Sequence, residues 1–254
     1  MDLNNEKRKL QVAKYYDLRP ESYLYANSSM VGKQHYFKRK LNELLKELRS
    51  LPQHAKVLDV GCGVGDFCIE LALRGYNVIG IDISKNRIKY ANKTANNLSL
   101  DVGFMVSDGE RLCFKDNSFY VVICISVLSH TPKPINLLKE IRRVLKPNGL
   151  AIIIVSNRLS PWFYIIRPMI HKYQGYTRTI AQDERFDRFQ LSKMMKIAGF
   201  EHCSNMREFL FIHQGAKGLF FILLQYIEKI FEKVPIFKHL GGVLIAVGNK
   251  ESIR

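Results

Sequence analysis

Paired cysteines are what this 254-residue sequence most plainly lacks. Its five, Cys62, Cys68, Cys113, Cys124 and Cys203, are odd in number and show none of the short paired spacings of a zinc or dithiol site. That argues against a disulfide framework and a metal knuckle, and it points to a reducing, cytoplasmic setting. The opening residues MDLNNEKRKL hold no apolar stretch of the kind a secretory leader needs. Long hydrophobic runs are missing too. The longest, Leu219–Ile227, is interrupted by Gln225 and reaches about half a membrane span. There is no internal repeat, no low-complexity tract and no Pro/Gly/Ser linker, so one domain with decorations is the expectation for residues 1–254. Carboxylates are scarce, 23 against 39 lysines and arginines, which leaves a formal charge of +16. The excess lies on the flanks, +6 over residues 1–56 and +7 over 156–254, with only +3 between. A basic surface favours anionic partners and says nothing about fold.

What is present is an ordinary globular composition, 47% hydrophobic and 24% charged, which excludes disorder. Residues 1–55 read as a polar helical segment, with Leu41, Leu44, Leu45 and Leu48 at helical spacing before Leu51-Pro52. From 56 to 156, β-branched runs alternate with helical patterns. Strands are expected at Lys56–Val60, Asn77–Ile81, Asp101–Val106, Phe119–Ile125 and Leu150–Val155. Helices are expected near Gly65–Arg74, Lys85–Asn96 and Pro134–Leu145. Such alternation means βαβ units and a parallel sheet. In residues 157–254 a helix is expected at Gln190–Ala198, a strand at Phe200–Phe211, an apolar helix at Lys217–Glu232 and a last strand at Gly242–Val247.

The most informative string is Val57-Leu-Asp-Val-Gly-Cys-Gly-Val-Gly-Asp-Phe67. A buried strand runs into Gly61, Gly63 and Gly65, where the chain must turn sharply and let a ligand touch backbone. About twenty residues on, the next strand ends at Asp82, where a carboxylate can accept both hydroxyls of a ribose. A dinucleotide loop would need glycine at position 66, to bring a helix N-terminus onto a pyrophosphate. The residue there is Asp66, which would repel a diphosphate. The loop therefore suits a nucleoside ligand without phosphates.

With these residues in place the chain resembles the class I S-adenosylmethionine-dependent methyltransferases, in the branch that modifies small molecules and lipids. The resemblance covers roughly Val57–Val155 and rests on four strings in order: Val57–Phe67, Ile79–Ser84, Ser107–Asp116 and Leu137–Leu150. It implies a Rossmann-like α/β fold. The sheet would have seven mostly parallel strands, the last antiparallel, with helices on both faces, an N-terminal helical cap and a C-terminal helical insertion. It implies S-adenosylmethionine as methyl donor, with S-adenosylhomocysteine as product. Asp59 and Gly61 would approach the methionine portion, Cys62 and Gly63 form the turn, Asp82 bind the ribose and Ile83 pack on adenine. Asp108, followed by Gly109, would accept from the adenine amino group, and Ile125 and Ser126 would floor the site beneath the sulfonium. Tyr120 stands where the family often has aspartate.

Methyl transfer from a sulfonium has an excellent leaving group, so the protein's work is alignment and exclusion of water. If the acceptor is a hydroxyl, His130 after strand four is the candidate general base, or else it only caps the helix that follows. Tyr15, Tyr16, Tyr23 and Tyr25 are candidates for the acceptor cavity or for packing of the cap. Trp162, Tyr173 and Arg178 are further acceptor-side candidates in an aromatic, basic stretch. No histidine spacing suggests a metal. The apolar helix near 217–240 is either an extra core helix or an interfacial helix resting, through its lysines, on an anionic membrane. The expected activity is methyl transfer to a small, hydrophobic or lipid-like acceptor by a cytoplasmic protein, peripheral to the membrane on the interfacial reading. RNA methylation, drawn from the +16 charge, and a non-catalytic scaffold that only binds the cofactor are the alternatives.

Overall fold

The computed structural model describes residues 3–18, 31–49, 51–52, 54–160, 184–200, 207–209, 222, 226, 230 and 241–251. In chain order the elements are α1 (Leu3–Asp17), α2 (Val31–Leu48), β1 (Lys56–Val60), α3 (Asp66–Ala72), β2 (Asn77–Asp82), α4 (Lys85–Asn97), β3 (Gly103–Val106) and β4 (Phe119–Ile125). A short 3-10 turn (Leu128–His130) then leads to α5 (Pro134–Val144), β5 (Leu145–Ser156), α6 (Arg188–Ile197), β6 (Arg207–Phe209) and β7 (Val243–Asn249).

The strands lie side by side as β3-β2-β1-β4-β5-β7-β6. Pairs among β1 to β5 are parallel, and β7 runs antiparallel to β5 and β6. Both faces of the central strands are buried, so their sequences are near-continuous apolar runs whose alternate residues serve opposite faces. From β4 and β5, Val122, Cys124, Ala151 and Ile153 meet α5 and α6 through Leu137, Leu138, Ile141, Leu191 and Met195. Val121, Ile123, Ile152 and Ile154 meet the other layer through Leu44, Leu48, Cys68, Leu71 and Ile88. Helices thus cover both faces.

The expected strands and helices of the core stand within two residues of their observed bounds, with one exception. β5 starts at Leu145 rather than Leu150, because Leu145 already pairs with Phe119 before a register irregularity. Part of residues 1–55 also packs into the core. Leu44 and Leu48 of α2 belong to the core, since their stripe is too apolar to leave in water. Of the strand expected at Phe200–Phe211, Phe200 lies outside any strand and Arg207–Phe209 forms one; the other positions, and most of the helix expected at Lys217–Glu232, lie outside the described residues.

Candidate functional site

The order β2-β1-β4 places the reversal of winding between β1 and β4, and a crevice opens at the carboxyl ends of those strands. A cavity of about 190 Å³ occupies it. Asp59, Gly61, Cys62, Gly63, Asp82, Ile83, Asp108, Gly109, Ile125, Ser126, Tyr16 and His130 all lie on its wall. Tyr15 does not; its ring packs edge-on against Tyr16 with centroids 5.2 Å apart. Tyr23, Tyr25, Trp162, Tyr173 and Arg178 lie outside the described residues.

The glycine turn is held from below, since the amides of Gly61 and Cys62 both donate to the carbonyl of Ile81, at 2.7 and 2.9 Å. Gly61, Gly63 and Gly65 all have positive φ, which a side chain at those positions would oppose. Asp82, buried at the end of β2, takes one amide on each oxygen: Gly63 N–H on Oδ2 at 2.9 Å and Ser84 N–H on Oδ1 at 2.8 Å. Each oxygen keeps a second lone pair for a ligand hydroxyl. Burial raises the Asp82 carboxyl above its ordinary value, opposed by the two amides and Arg87. Asp59, buried in β1, accepts from the Cys68 thiol at 3.3 Å, and burial pushes its carboxyl up to about 7.

Four cavity groups come from stretches that carry little sign of a site. Lys9 of α1 reaches Asp108 Oδ2 at 2.6 Å and Glu110 Oε2 at 2.9 Å. Burial works against its charge, but the two carboxylates hold it above the ordinary lysine range. Arg87, in the first turn of α4, lies 3.8 Å over the Tyr16 ring. A cation there opposes the helix dipole, and that was a readable signal of another duty. On α2, Tyr36 and Lys40 face the end of β4. Lys40 Nζ lies 3.3 Å from Ser126 Oγ and 4.0 Å from the Tyr36 ring centroid, and burial pushes its amine down to about 7. Ser126 is presented there with a φ of 60°, a conformation that costs a non-glycine residue about 1–3 kcal/mol and gathers at functional sites.

The wall carries Asp59, Asp66, Asp82, Asp108 and Glu110 against Lys9, Lys40 and Arg87. That excess of carboxylates suits a cationic ligand. Together with a turn lacking the third glycine of a pyrophosphate loop, it fits a ribose-bearing sulfonium and does not fit a dinucleotide.

Residues 58–153 match the methyltransferase domain family. Among curated proteins, the chain is 36% identical over 140 residues to a ubiquinone biosynthesis O-methyltransferase of Rickettsia akari (strain Hartford), covering 52% of this chain and 55% of that protein. The chain spans about half the length of this relative and of its Rickettsia canadensis counterpart. A demethylmenaquinone methyltransferase of Staphylococcus carnosus (strain TM300) is 27% identical over 216 residues, 78% of this chain and 88% of that protein. Among solved structures the cyclase SpnF superposes with a TM-score of 0.68 at 22% identity, covering 96% of this chain and 97% of that one. At that identity the likeness concerns the fold.

Proposed function

We propose, from the match of residues 58–153 to the methyltransferase domain family, that the chain is a class I methyltransferase that transfers a methyl group from S-adenosylmethionine to a small, lipophilic acceptor. The observation that carries the reading is Asp82, fixed by the amides of Gly63 and Ser84 at the lip of an acid-lined cavity. Its remaining lone pairs can accept from the two hydroxyls of a ribose.

S-adenosylmethionine supplies a methyl on a sulfonium that leaves readily. The chain's own part is to hold and to exclude. Asp82 holds the ribose and the Gly61–Gly63 turn lets the methionine portion approach backbone, with Asp59 beside it. Ile83, Asp108 and Gly109 take the adenine end, and Ile125 with Ser126 forms the floor. Tyr16 and Lys9 of α1 close the cavity against water, which strengthens every electrostatic contact inside. The names of the relatives, a ubiquinone and a menaquinone enzyme, support a lipophilic acceptor over RNA. Ile222, Tyr226 and Ile230 are helical, four residues apart and exposed. With the basic excess of the chain, they support an interfacial helix resting on an anionic bilayer, where such an acceptor dissolves.

The test is transfer of a labelled methyl group from S-adenosylmethionine into a cell extract, partitioned into organic, aqueous, RNA and protein fractions, with the Asp82→Ala protein run beside it. Label in the organic phase that disappears with the variant is the expected result. Label in RNA or protein overturns the acceptor class. Cofactor binding without label in any fraction favours the scaffold alternative.

A further inference from the structure

The group nearest to being a base at the floor of the cavity is a lysine rather than the histidine. Lys40 is 4% exposed. Among the described residues no carboxylate pairs with its amine: its neighbours are the Ser126 hydroxyl and the face of the Tyr36 ring. A charged ammonium buried without an anion is costly, so a free amine with its lone pair is available near neutral pH. The Tyr36 face then stabilises the cation once a proton arrives. Both protonation states therefore have a partner. Ser126, whose strained backbone sits at the carboxyl end of β4, also hydrogen-bonds the Tyr36 hydroxyl. Tyr36, Ser126 and Lys40 thus form one cluster on the cavity wall. His130, by contrast, packs edge-on against Tyr16, with centroids 5.7 Å apart.

We propose that Lys40 is the proton acceptor for the methyl-accepting hydroxyl, and that this hydroxyl is phenolic or enolic. The inference rests on the methyl-transfer reading. As the acceptor oxygen bonds to the methyl carbon, the carbon–sulfur bond breaks with its electron pair going to sulfur, which leaves as a neutral thioether. The hydroxyl proton passes to Lys40 Nζ, which becomes an ammonium and later returns the proton to water. A phenol, with a pKa of about 10, lies within reach of an amine. An aliphatic alcohol, a far weaker acid that resembles bulk water in this respect, does not. Other ionisable groups on this wall are Lys9 and Tyr16 of α1, Asp59 of β1, Cys62, Asp66 of α3, Asp82 of β2, Arg87 of α4, Asp108, Glu110 and His130, so the titration must be assigned to Lys40 by variant.

The experiment uses the full chain with 13C,15N-lysine and 4-nitrophenol as probe, whose phenolate is coloured. One lysine amine should titrate near neutrality and vanish in Lys40→Met. Nitrophenol bound in the presence of S-adenosylhomocysteine should be ionised to a greater extent than free probe at the same pH, and this excess should be lost in Lys40→Met. Calorimetric binding of S-adenosylhomocysteine should stay within about twofold, and methyl transfer should fall by about 100-fold or more. If every lysine titrates in the ordinary ammonium range, or if His130→Gln removes the ionised probe while Lys40→Met does not, the proposal is overturned. These readouts do not require turnover. An absence of labelled product with the Lys40 titration intact would therefore count against methyl transfer alone.

Discussion

Gly61 shows how little freedom the cofactor turn has. An added Cβ would overlap Val127 Cγ2, on a backbone with φ +76°. Gly61→Ala therefore combines overpacking with left-handed strain and should lose about 2–5 kcal/mol in urea unfolding. Adding Val127→Ala should recover the overlap and leave the backbone strain of about 1–2 kcal/mol. Two additive substitutions would mean that the contact does not exist. Asp59 and Lys40, a few residues from this turn in space, strain the fold in opposite pH ranges. Asp59 has a folded value of about 7 against 3.8, so its stability contribution is intact below about 3.8 and lost as pH rises to 7. Lys40 has a folded value of about 7 against 10.5, so its cost is absent above about 10.5 and fully developed once pH falls to 7. Asp59→Asn should therefore gain on the wild type as pH rises from 4 to 7, and Lys40→Met as pH falls from 10.5 to 7. A pH series of denaturation midpoints reads both, and parallel curves for wild type and variants would sink the assignment.

At the scale of elements, α1 is held in an unusual way. Its buried residues are Lys9 and Tyr16, so the hydrophobic effect does little to dock it. The anchors are polar. Lys9 sits on Asp108 and Glu110, and Tyr16 lies under Arg87. Asp17 Oδ1 accepts from Ser84 Oγ at 2.6 Å and from the Asn86 amide at 3.0 Å, placing a carboxylate at the start of α4. Charge-assisted bonds of this kind are worth about 1.5–3 kcal/mol each and weaken with salt where exposed. Lys9→Met should raise amide exchange across residues 3–17 by about tenfold or more while leaving β1 and β4 protected. Unchanged exchange in α1 would show that the latch lies elsewhere. The same physics decides what the sequence could reveal. β1, β2 and β4 were legible because both their faces are buried and their residue types follow from that. The Gly61–Asp82 pair was legible because a turn and a carboxylate at that separation have few other uses. The lid contacts were not, since a polar helix docked by ion pairs looks like a solvated one. Tyr15 and Tyr16 could not both face the cavity, since helix neighbours point about 100° apart. Lys40 does leave a trace in the sequence: it sits on the same helical face as Phe37 and Leu44, three residues before and four residues after it, where a lysine is out of place.

At the scale of the whole molecule, the +16 charge and the acid-lined cavity are opposite in sign, and each suits a different partner. Carboxylates inside favour a cationic ligand, whereas the basic excess outside favours an anionic surface. The exposed residues Ile222, Tyr226 and Ile230 recur every four positions, so they fall on one side of their helix. Apolar residues at such spacing with lysines nearby in sequence match what a bilayer interface binds. If the molecule collects a lipophilic acceptor there, the folded chain should float with liposomes containing anionic lipid and not with purely zwitterionic ones. Each basic residue near the surface contributes about 1 kcal/mol, so binding should fall steeply as ionic strength rises. Changing Ile222, Tyr226 and Ile230 together to aspartate should abolish flotation while leaving S-adenosylhomocysteine binding intact, because none of the three lines the cavity. Flotation that survives the triple change would assign the membrane to the basic flanks alone. Failure of the folded wild type to float would remove the bilayer from the reading and leave the acceptor to arrive through water.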